Sequence, residues 1–238
     1  MMMTLFAKSI SRSLHPVLTG LALALGSLLF QSCSKDQAPD VKGSSLTVVN
    51  ASPTMATYNF YLNDQKANGA AALPFAGAVS PKVWQSGAYK AKFTIASNTE
   101  SVITKDISLA PDKAYSLFLI DKADKLDYLL INDDLSKTGE KAFVRFINLS
   151  PDAASLDLAV KGGAVLIGDK VYKASSAFTE VDPKDYVFEI RDKATGTVKG
   201  AALASITLAK GKYYTVTALG LLQPTGTDQA FTGKVFPY

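Results

Sequence analysis

The chain has 238 residues, of which 47% are hydrophobic and 19% are charged, and its formal net charge is +4. These values are typical of a globular protein and exclude a disordered chain. Acidic and basic residues are interspersed without a basic run, so nucleic acid is not expected as a partner.

The first 32 residues have the layout of a secretory signal peptide. Lys8 and Arg12 provide positive charge, and an apolar run follows at residues 17–30. As a helix this run would span about 21 Å, which is short of the roughly 30 Å hydrocarbon core of a bilayer. We therefore predict a signal peptide at residues 1–32 rather than a membrane-spanning helix.

The only Cys of the chain, Cys33, follows this segment directly after the small residue Ser32. This arrangement resembles a bacterial lipoprotein processing site, where the chain is cut before the Cys and acyl chains such as palmitate are attached to it. Residues 34–36 resemble the leader of many Bacteroidota lipoproteins, whereas Phe30 stands where the common pattern has Leu. Two or more acyl chains anchor a protein firmly. The sequence thus predicts a lipid anchor at Cys33 in the outer membrane, on its periplasmic or cell-surface face; an uncleaved short anchor or an ordinary signal cut nearby is the alternative.

Cleavage before Cys33 would also remove His15, the only His of the chain. With the thiol lipidated, the mature protein would lack the groups needed for Ser-His-Asp triads, Cys nucleophiles, His bases and ordinary zinc sites. We therefore expect a protein that is not an enzyme and that has no cofactor and no metal. A hydrolase that uses two converging carboxylates is the remaining catalytic alternative.

Two later segments match each other without a gap. Residues 46–53 and 144–151 both place apolar residues at alternate positions and end in an Asn-x-Ser-Pro turn, and Asn148 lies 98 residues after Asn50. This repetition predicts two domains of the same kind.

The repeat and the composition set the predicted boundaries. The two domains are expected at residues 45–135 and 142–238, and the polar residues 136–141 are the linker between them. Ahead of the first domain, the polar residues 33–44 are typical of a flexible tether.

Short strands are indicated by apolar residues at every second position, as in 58–63, 89–95, 156–161 and 186–191. Residues 128–131 are apolar throughout, which predicts a strand covered on both faces. Six or seven such strands per repeat, without a long helical period, predict an all-β fold of two tandem immunoglobulin-like antiparallel β-sandwiches.

Two tyrosines are expected to have structural roles. Leu109 closes a strand, a tight turn follows and Tyr115 opens the next strand; Leu208 and Tyr214 repeat this arrangement. The pattern resembles the tyrosine corner of immunoglobulin-like sandwiches, in which the phenol bonds to backbone a few residues upstream.

The run 150–157 after the strand at 144–146, together with the Gly-x-Tyr-x-x-x-Phe of 87–93, resembles the bacterial family named domain of unknown function 4397. Members of that family often have His where this chain has Asn50 and Asn148. The resemblance covers residues 45–238 and implies secreted or surface-anchored β-domains. It implies no catalytic residues.

Two weak binding hypotheses follow from single residue types. Trp84, the only Trp, would belong to the core if it pointed inward, which is the commoner case in a sandwich, and would stack on a sugar ring if it pointed outward beside Tyr61. The second hypothesis is a calcium site at Asp121, Asp124 and Asp127, which recur at every third position. A calcium loop has its ligands at every second position, so the preferred interpretation of these residues is a solvated hairpin end.

The inward-facing positions keep their character between the repeats while the outward-facing positions differ. Duplication of a core without duplication of a polar site favours a non-enzymatic envelope lipoprotein that acts as a binding, adhesion or spacer module, with an envelope protein or a glycan as partner. The alternative is a glycan-binding accessory protein of a polysaccharide-handling system.

Overall fold

A computed structural model of the chain describes residues 42–238, in which eighteen strands and one short 3-10 helix are present. The strands of the first repeat are β1 (Gly43–Asn50), β2 (Tyr58–Leu62), β3 (Gln65–Lys66), β4 (Ala78–Gln85), β5 (Gly87–Ile95), β6 (Ser101–Leu109), β7 (Ala114–Ile120) and β8 (Asp127–Asp133). Those of the second repeat are β9 (Ala142–Asn148), β10 (Leu156–Val160), β11 (Val165–Lys170), β12 (Thr179–Val181), β13 (Asp185–Tyr186), β14 (Phe188–Asp192), β15 (Val198–Lys199), β16 (Ile206–Thr207), β17 (Tyr213–Leu219) and β18 (Thr232–Pro237). The 3-10 helix, Ala123–Lys125, lies between β7 and β8. The predicted all-β fold class is confirmed.

Each repeat is a sandwich of two four-stranded sheets. In the first repeat the strand orders are β4-β1-β7-β8 and β3-β2-β5-β6, and in the second they are β12-β9-β17-β18 and β11-β10-β14-β15. We call the first sheet of each pair the junction sheet and the second the outer sheet. The short pair β13-β16 completes the second repeat.

The two junction sheets share a feature that the prediction of antiparallel sheets did not include. Their central strands run parallel, with Leu46 opposite Tyr115 in the β1–β7 pair and Val144 opposite Tyr214 in the β9–β17 pair. Parallel neighbours need a long crossover connection. Here that connection is the middle of each repeat, which forms the outer sheet before the chain returns to the junction sheet. The register of the central pair is the same in both halves.

The repeats differ at their edges. Strand β4 has 8 residues whereas its counterpart β12 has 3. The long β5–β6 hairpin of the first repeat corresponds to two short pairs in the second, β13 with β16 and β14 with β15. The repetition therefore preserves the centre of each sandwich more closely than its rim.

Each sandwich has its own apolar core, formed by the inward-facing side chains of its two sheets. In β2, Tyr58, Phe60 and Leu62 are all less than 5% exposed, as the alternation of apolar residues predicts. Leu156, Leu158 and Phe188 occupy the second core and are fully buried. Full burial of a side chain of this size stabilises the fold by about 1.5–3 kcal/mol.

Strand β8 is covered on both faces, as predicted from its composition. Tyr128 and Leu130 pack against the core of the first repeat, whereas Leu129 and Ile131 pack against a separate cluster that contains residues of both repeats. The cover on the second face is thus the second repeat itself.

Strands therefore occupy 43–133 and 142–237, with residues 134–141 connecting the repeats. The predicted signal peptide, Cys33 and the tether up to residue 41 lie outside the described residues. Within residues 42–238 no helix is both long enough and apolar enough to cross a membrane.

Candidate functional site

The largest feature that the sequence did not predict is the junction between the repeats. The two junction sheets pack on each other through the faces that point away from their own cores. A cluster of buried apolar side chains fills this contact. Its members are Val49, Ala51, Phe118, Ile120, Ile147, Leu149, Leu219 and Phe236. Every one is at most 9% exposed, so the repeats share a third core in addition to their own two.

A buried ion pair lies at one end of this junction. Arg145 Nη2 in β9 lies 2.6 Å from Asp133 Oδ1 at the end of β8, and the two side chains are 2% and 0% exposed. Arg145 Nε also donates to Thr215 Oγ1 (2.8 Å), and Ser116 Oγ donates to Asp133 Oδ2 (2.8 Å). Each repeat therefore supplies one charge and at least one hydroxyl to the same cluster.

Aromatic rings cover the guanidinium. Its central carbon lies 4.8 Å from the ring centre of Phe178 and 5.6 Å from that of Tyr238. The Tyr238 hydroxyl accepts a hydrogen bond from Arg145 Nη2, and burial raises the pKa of this phenol. Such cation–π contacts are strongest where water is excluded.

The Asp133 carboxylate is incompletely hydrogen-bonded. Its Oδ1 atom has no hydrogen bond within residues 42–238, although Arg145 Nη2 lies 2.6 Å away. The contact is therefore held by charge rather than by good hydrogen-bond geometry. The sequence analysis assigned no role to either residue. The available indication was a single cation, Arg145, in an otherwise apolar strand.

The opposite end of the junction is also polar. Lys122 Nζ lies 2.6 Å from both carboxylate oxygens of Asp228. Tyr172 donates a hydrogen bond to Asp121 Oδ2 (2.7 Å), and Lys173 Nζ lies 3.8 Å from the same atom. These contacts also join the two repeats.

This arrangement corrects the interpretation of Asp121 and Asp127 as part of a solvated hairpin end, whereas Asp124 is exposed, as that interpretation expects. Asp121 is only 15% exposed and faces the second repeat, while Asp127 lies within 3.6 Å of Lys173 and also contacts Lys105. The calcium hypothesis for Asp121, Asp124 and Asp127 gains no support, because lysines neutralise two of the three carboxylates. No group of three potential metal ligands occurs in the described part of the chain.

The two Asn-x-Ser-Pro turns form equivalent buried networks. The Ser52 N–H donates to Asn50 Oδ1 (3.1 Å), and the Ser52 hydroxyl donates to a backbone carbonyl just beyond β7 (2.7 Å). Likewise, the Ser150 N–H donates to Asn148 Oδ1 (3.0 Å), and the Ser150 hydroxyl donates to a backbone carbonyl just beyond β17 (2.8 Å). All four residues are 0% exposed, so these matched polar groups stabilise turns and are not available to a ligand.

Tyr115 and Tyr214 occupy the positions of a tyrosine corner. The Tyr115 hydroxyl accepts a hydrogen bond from the N–H of Ala110 (3.1 Å), and the Tyr214 hydroxyl accepts one from the N–H of Ala209 (2.9 Å). Each bond closes the turn that leads into the last central strand of its repeat.

Trp84 and Tyr61 are not brought together. Trp84 lies in the junction sheet, partly packed against the first core, with Tyr89 edge-on at 6.3 Å. Tyr61 lies in the outer sheet and points away from the core, with Lys92 Nζ 5.0 Å from its ring centre. The structure thus offers two separate aromatic side chains instead of one stacking platform.

A cleft with a volume of about 600 Å³ lies where β8 leads into the linker. Three carboxylates line it, and each has a partner: Asp112 pairs with Lys42, Asp133 with Arg145, and Asp134 accepts two hydrogen bonds from Ser136. The bonds from Ser136 hold the pKa of Asp134 below its usual range. Since each of the three carboxylates is held by a neighbouring side chain, the cleft does not favour the carboxylate-dependent hydrolase.

Comparisons with known proteins add the family. The model of the family described as domain of unknown function (DUF4397) matches residues 44–159 and 142–232, so the two matches together span both repeats. No curated protein matches the sequence. Among solved structures, a carbohydrate-binding module of family CBM26 from Eubacterium rectale Amy13K, in complex with maltoheptaose, is 9% identical, with a TM-score of 0.27 over 82% of this chain and 96% of that one. A similarity this low carries no argument about function.

Proposed function

This chain belongs to the DUF4397 family, and from that premise we propose that it is a non-enzymatic lipoprotein of the cell envelope whose two fused sandwiches act as a binding, adhesion or spacer module. The junction between the repeats carries the proposal. A shared apolar core and a buried ion pair make the two repeats one continuous block, which is the mechanical property that a spacer or display module needs.

The outer sheets support a role in presentation, because their exposed faces have diverged. Tyr61 and Lys92 on the first repeat are partly exposed, whereas Ala159 and Glu189, the pair at the equivalent positions of the second repeat, are only 0% and 7% exposed. The two faces therefore present different chemistry from the same framework. Any partner that binds one face is not expected to bind the other.

The proposed localisation depends on attachment of lipid to Cys33. The expected site is the outer membrane, on either the periplasmic or the cell-surface face. The full chain and its Cys33→Ser variant, expressed in a bacterium with an outer membrane, would be compared by fractionation, precursor size and incorporation of labelled palmitate. We expect the variant to accumulate as an unlabelled precursor, because processing acts on the lipidated thiol.

A matched control is Ser34→Ala, which changes the residue directly after Cys33 but leaves the thiol in place. This variant should be processed and labelled like the wild type. Normal maturation and membrane retention of Cys33→Ser would show that the anchor is placed wrongly.

Tyr61 supports a second candidate function, glycan binding. Its ring lies on the outer face of the outer sheet, half-buried, and Lys66 and Lys92 lie opposite it on the neighbouring strands. A glycan array probed with residues 34–238 tests this candidate. Binding that is lost in Tyr61→Ala but retained in Val165→Ala, a change on the outer sheet of the second repeat, would favour the glycan-binding function over the spacer.

A further inference from the structure

The β4–β5 hairpin lies at the end of the molecule where the described chain begins. Gln85, the last residue of β4, is opposite Gly43 in β1, and the Ser86 N–H donates to the carbonyl of Lys42 (3.1 Å). The hairpin tip and the first described residues, Lys42 and Gly43, therefore lie side by side.

This hairpin carries an exposed apolar and basic edge. Val83 is 72% exposed, the largest value among the exposed large hydrophobic side chains of residues 42–238. Trp84 is half-buried, and Lys82 Nζ lies 4.5 Å from its ring centre. Lys82 makes no salt bridge with the residues that the structure describes, so its charge is available.

A second lysine lies at the same end. The Ser45 N–H donates to the carbonyl of Lys113, and the Asp112 N–H donates to the carbonyl of Gly43, so the β6–β7 turn is beside the start of β1. Asp112 pairs with Lys42, whereas Lys113 has no salt bridge among residues 42–238. Two lysines without a salt bridge among the described residues, Lys82 and Lys113, therefore lie at this end, and the exposed Asp134 lies in the cleft beside Lys113.

The chain length before this end limits where it can be. Nine peptide steps separate Cys33 from Lys42, and even a fully extended chain of that length spans only about 30 Å. If Cys33 is lipidated, as the proposed function requires, the hairpin is held next to the bilayer at high effective concentration.

We propose that the edge formed by residues 82–84 docks on the lipid–water interface of the membrane that holds the anchor. Trp and aliphatic side chains enter the headgroup region favourably, since a Trp ring is amphipathic. Lysines bury their stems and keep their charge among the headgroups. Lys82 and Lys113 contact anionic headgroups in this arrangement, and Val83 and Trp84 provide the apolar contact.

Trp84 makes the proposal directly measurable, because it is the only Trp of the chain. The mature chain, residues 33–238, can be coupled through Cys33, its only thiol, to a maleimide-bearing lipid in phosphatidylcholine vesicles with or without phosphatidylglycerol. We expect the Trp84 emission to shift to shorter wavelength on coupling and to be quenched by lipids brominated near the top of the acyl chain. Phosphatidylglycerol should strengthen both effects.

Matched variants separate docking from tethering. Val83→Ser and Lys82→Gln should reduce the quenching, whereas Val171→Ser, at a position 57% exposed in the second repeat, should not. A Gly-Ser insertion before Lys42 should weaken the quenching by lengthening the tether. Urea midpoints equal to that of the wild type would show that each variant is folded.

Emission of the coupled wild type that is the same as in solution, without quenching, would overturn the docking proposal. So would equal quenching in Val83→Ser, Lys82→Gln and the wild type. Because the lipid is attached chemically, this result does not depend on processing in cells. Failure of docking and failure of lipidation at Cys33 are therefore distinguished.

Discussion

Asp133 and Arg145 place opposite charges 2.6 Å apart across the boundary between the repeats, with their side chains 0% and 2% exposed. Neither repeat can keep its own charge buried without the other, because an unpaired charge in a low-dielectric site is strongly destabilising. The pair thus stabilises each half only while the two repeats are packed together.

Removing one member of this pair should be costly. We expect Asp133→Asn to lower the free energy of unfolding by about 3–5 kcal/mol, because Arg145 would remain buried without a counter-charge. The double variant Asp133→Asn/Arg145→Met should recover part of that loss. Urea unfolding followed by circular dichroism measures both.

The control for this experiment is the exposed pair Lys90–Asp106, whose side chains are 71% and 77% exposed. Asp106→Asn should change stability by about 0–1 kcal/mol. A similar cost for the buried and the exposed variants would contradict the role given to Asp133.

The apolar part of the junction should make the two repeats unfold together. Phe118 is 1% exposed and belongs to the shared cluster, so we expect Phe118→Ala to cost about 3–5 kcal/mol. The wild type should show one calorimetric transition, whereas the variant should show two, because each sandwich keeps its own core. Two transitions in the wild type would mean that the junction does not couple the repeats.

The hydroxyls of Tyr115 and Tyr214 should contribute similar amounts to stability. Tyr115→Phe and Tyr214→Phe each leave the N–H of Ala110 or Ala209 without its partner, and we expect each to cost about 1–3 kcal/mol in urea unfolding. Tyr61→Phe, on an outer face, is the control and should change stability by less than about 0.5 kcal/mol. Equal effects at all three positions would argue against the tyrosine corners.

The Lys122–Asp228 contact predicts a dependence on pH. Hydrogen bonds from Lys122 and Thr225 hold the pKa of Asp228 below its usual range. A carboxyl group whose folded-state pKa is depressed stabilises the fold above its unfolded value of about 3.9, and this stabilisation is lost as the pH falls through the folded pKa. We therefore expect the urea midpoint to fall between about pH 5 and about pH 2.

Asp228→Asn should show a smaller fall over the same range, since this group no longer titrates. Asp182 also has a lowered pKa, through its bonds with Lys141, and should account for part of the fall that remains. An identical acid profile in Asp228→Asn and the wild type would show that this contact has no role in the pH dependence.

The local pattern was sufficient to predict the interior of each sandwich. Period-two alternation placed Tyr58, Phe60 and Leu62 on one face, because side chains of a strand alternate between its faces. The repeated Leu-turn-Tyr segments likewise carried a local geometry that both copies reproduce at Tyr115 and Tyr214. Such features depend on residues that are close in sequence, so they can be predicted from the sequence alone.

The outward-facing side chains could not be placed in this way. Phe118 and Ile120 alternate as a strand requires, but alternation alone does not say whether solvent or another sheet covers the second face. Trp84 and Tyr61 both belong to the first repeat, yet they lie in different sheets, which no spacing in the chain specifies.

By itself the sequence determined that the chain is a duplicated β-protein and which strand residues form its cores. The reason is that a strand with one buried face has apolar residues at every second position. Only the tertiary structure decided that the two copies are fused face to face, with Arg145 buried against Asp133. The physical reason is that residues 12 positions apart, one on each side of the linker, form this pair only when two whole sheets pack together, and that packing is a property of surfaces rather than of any segment.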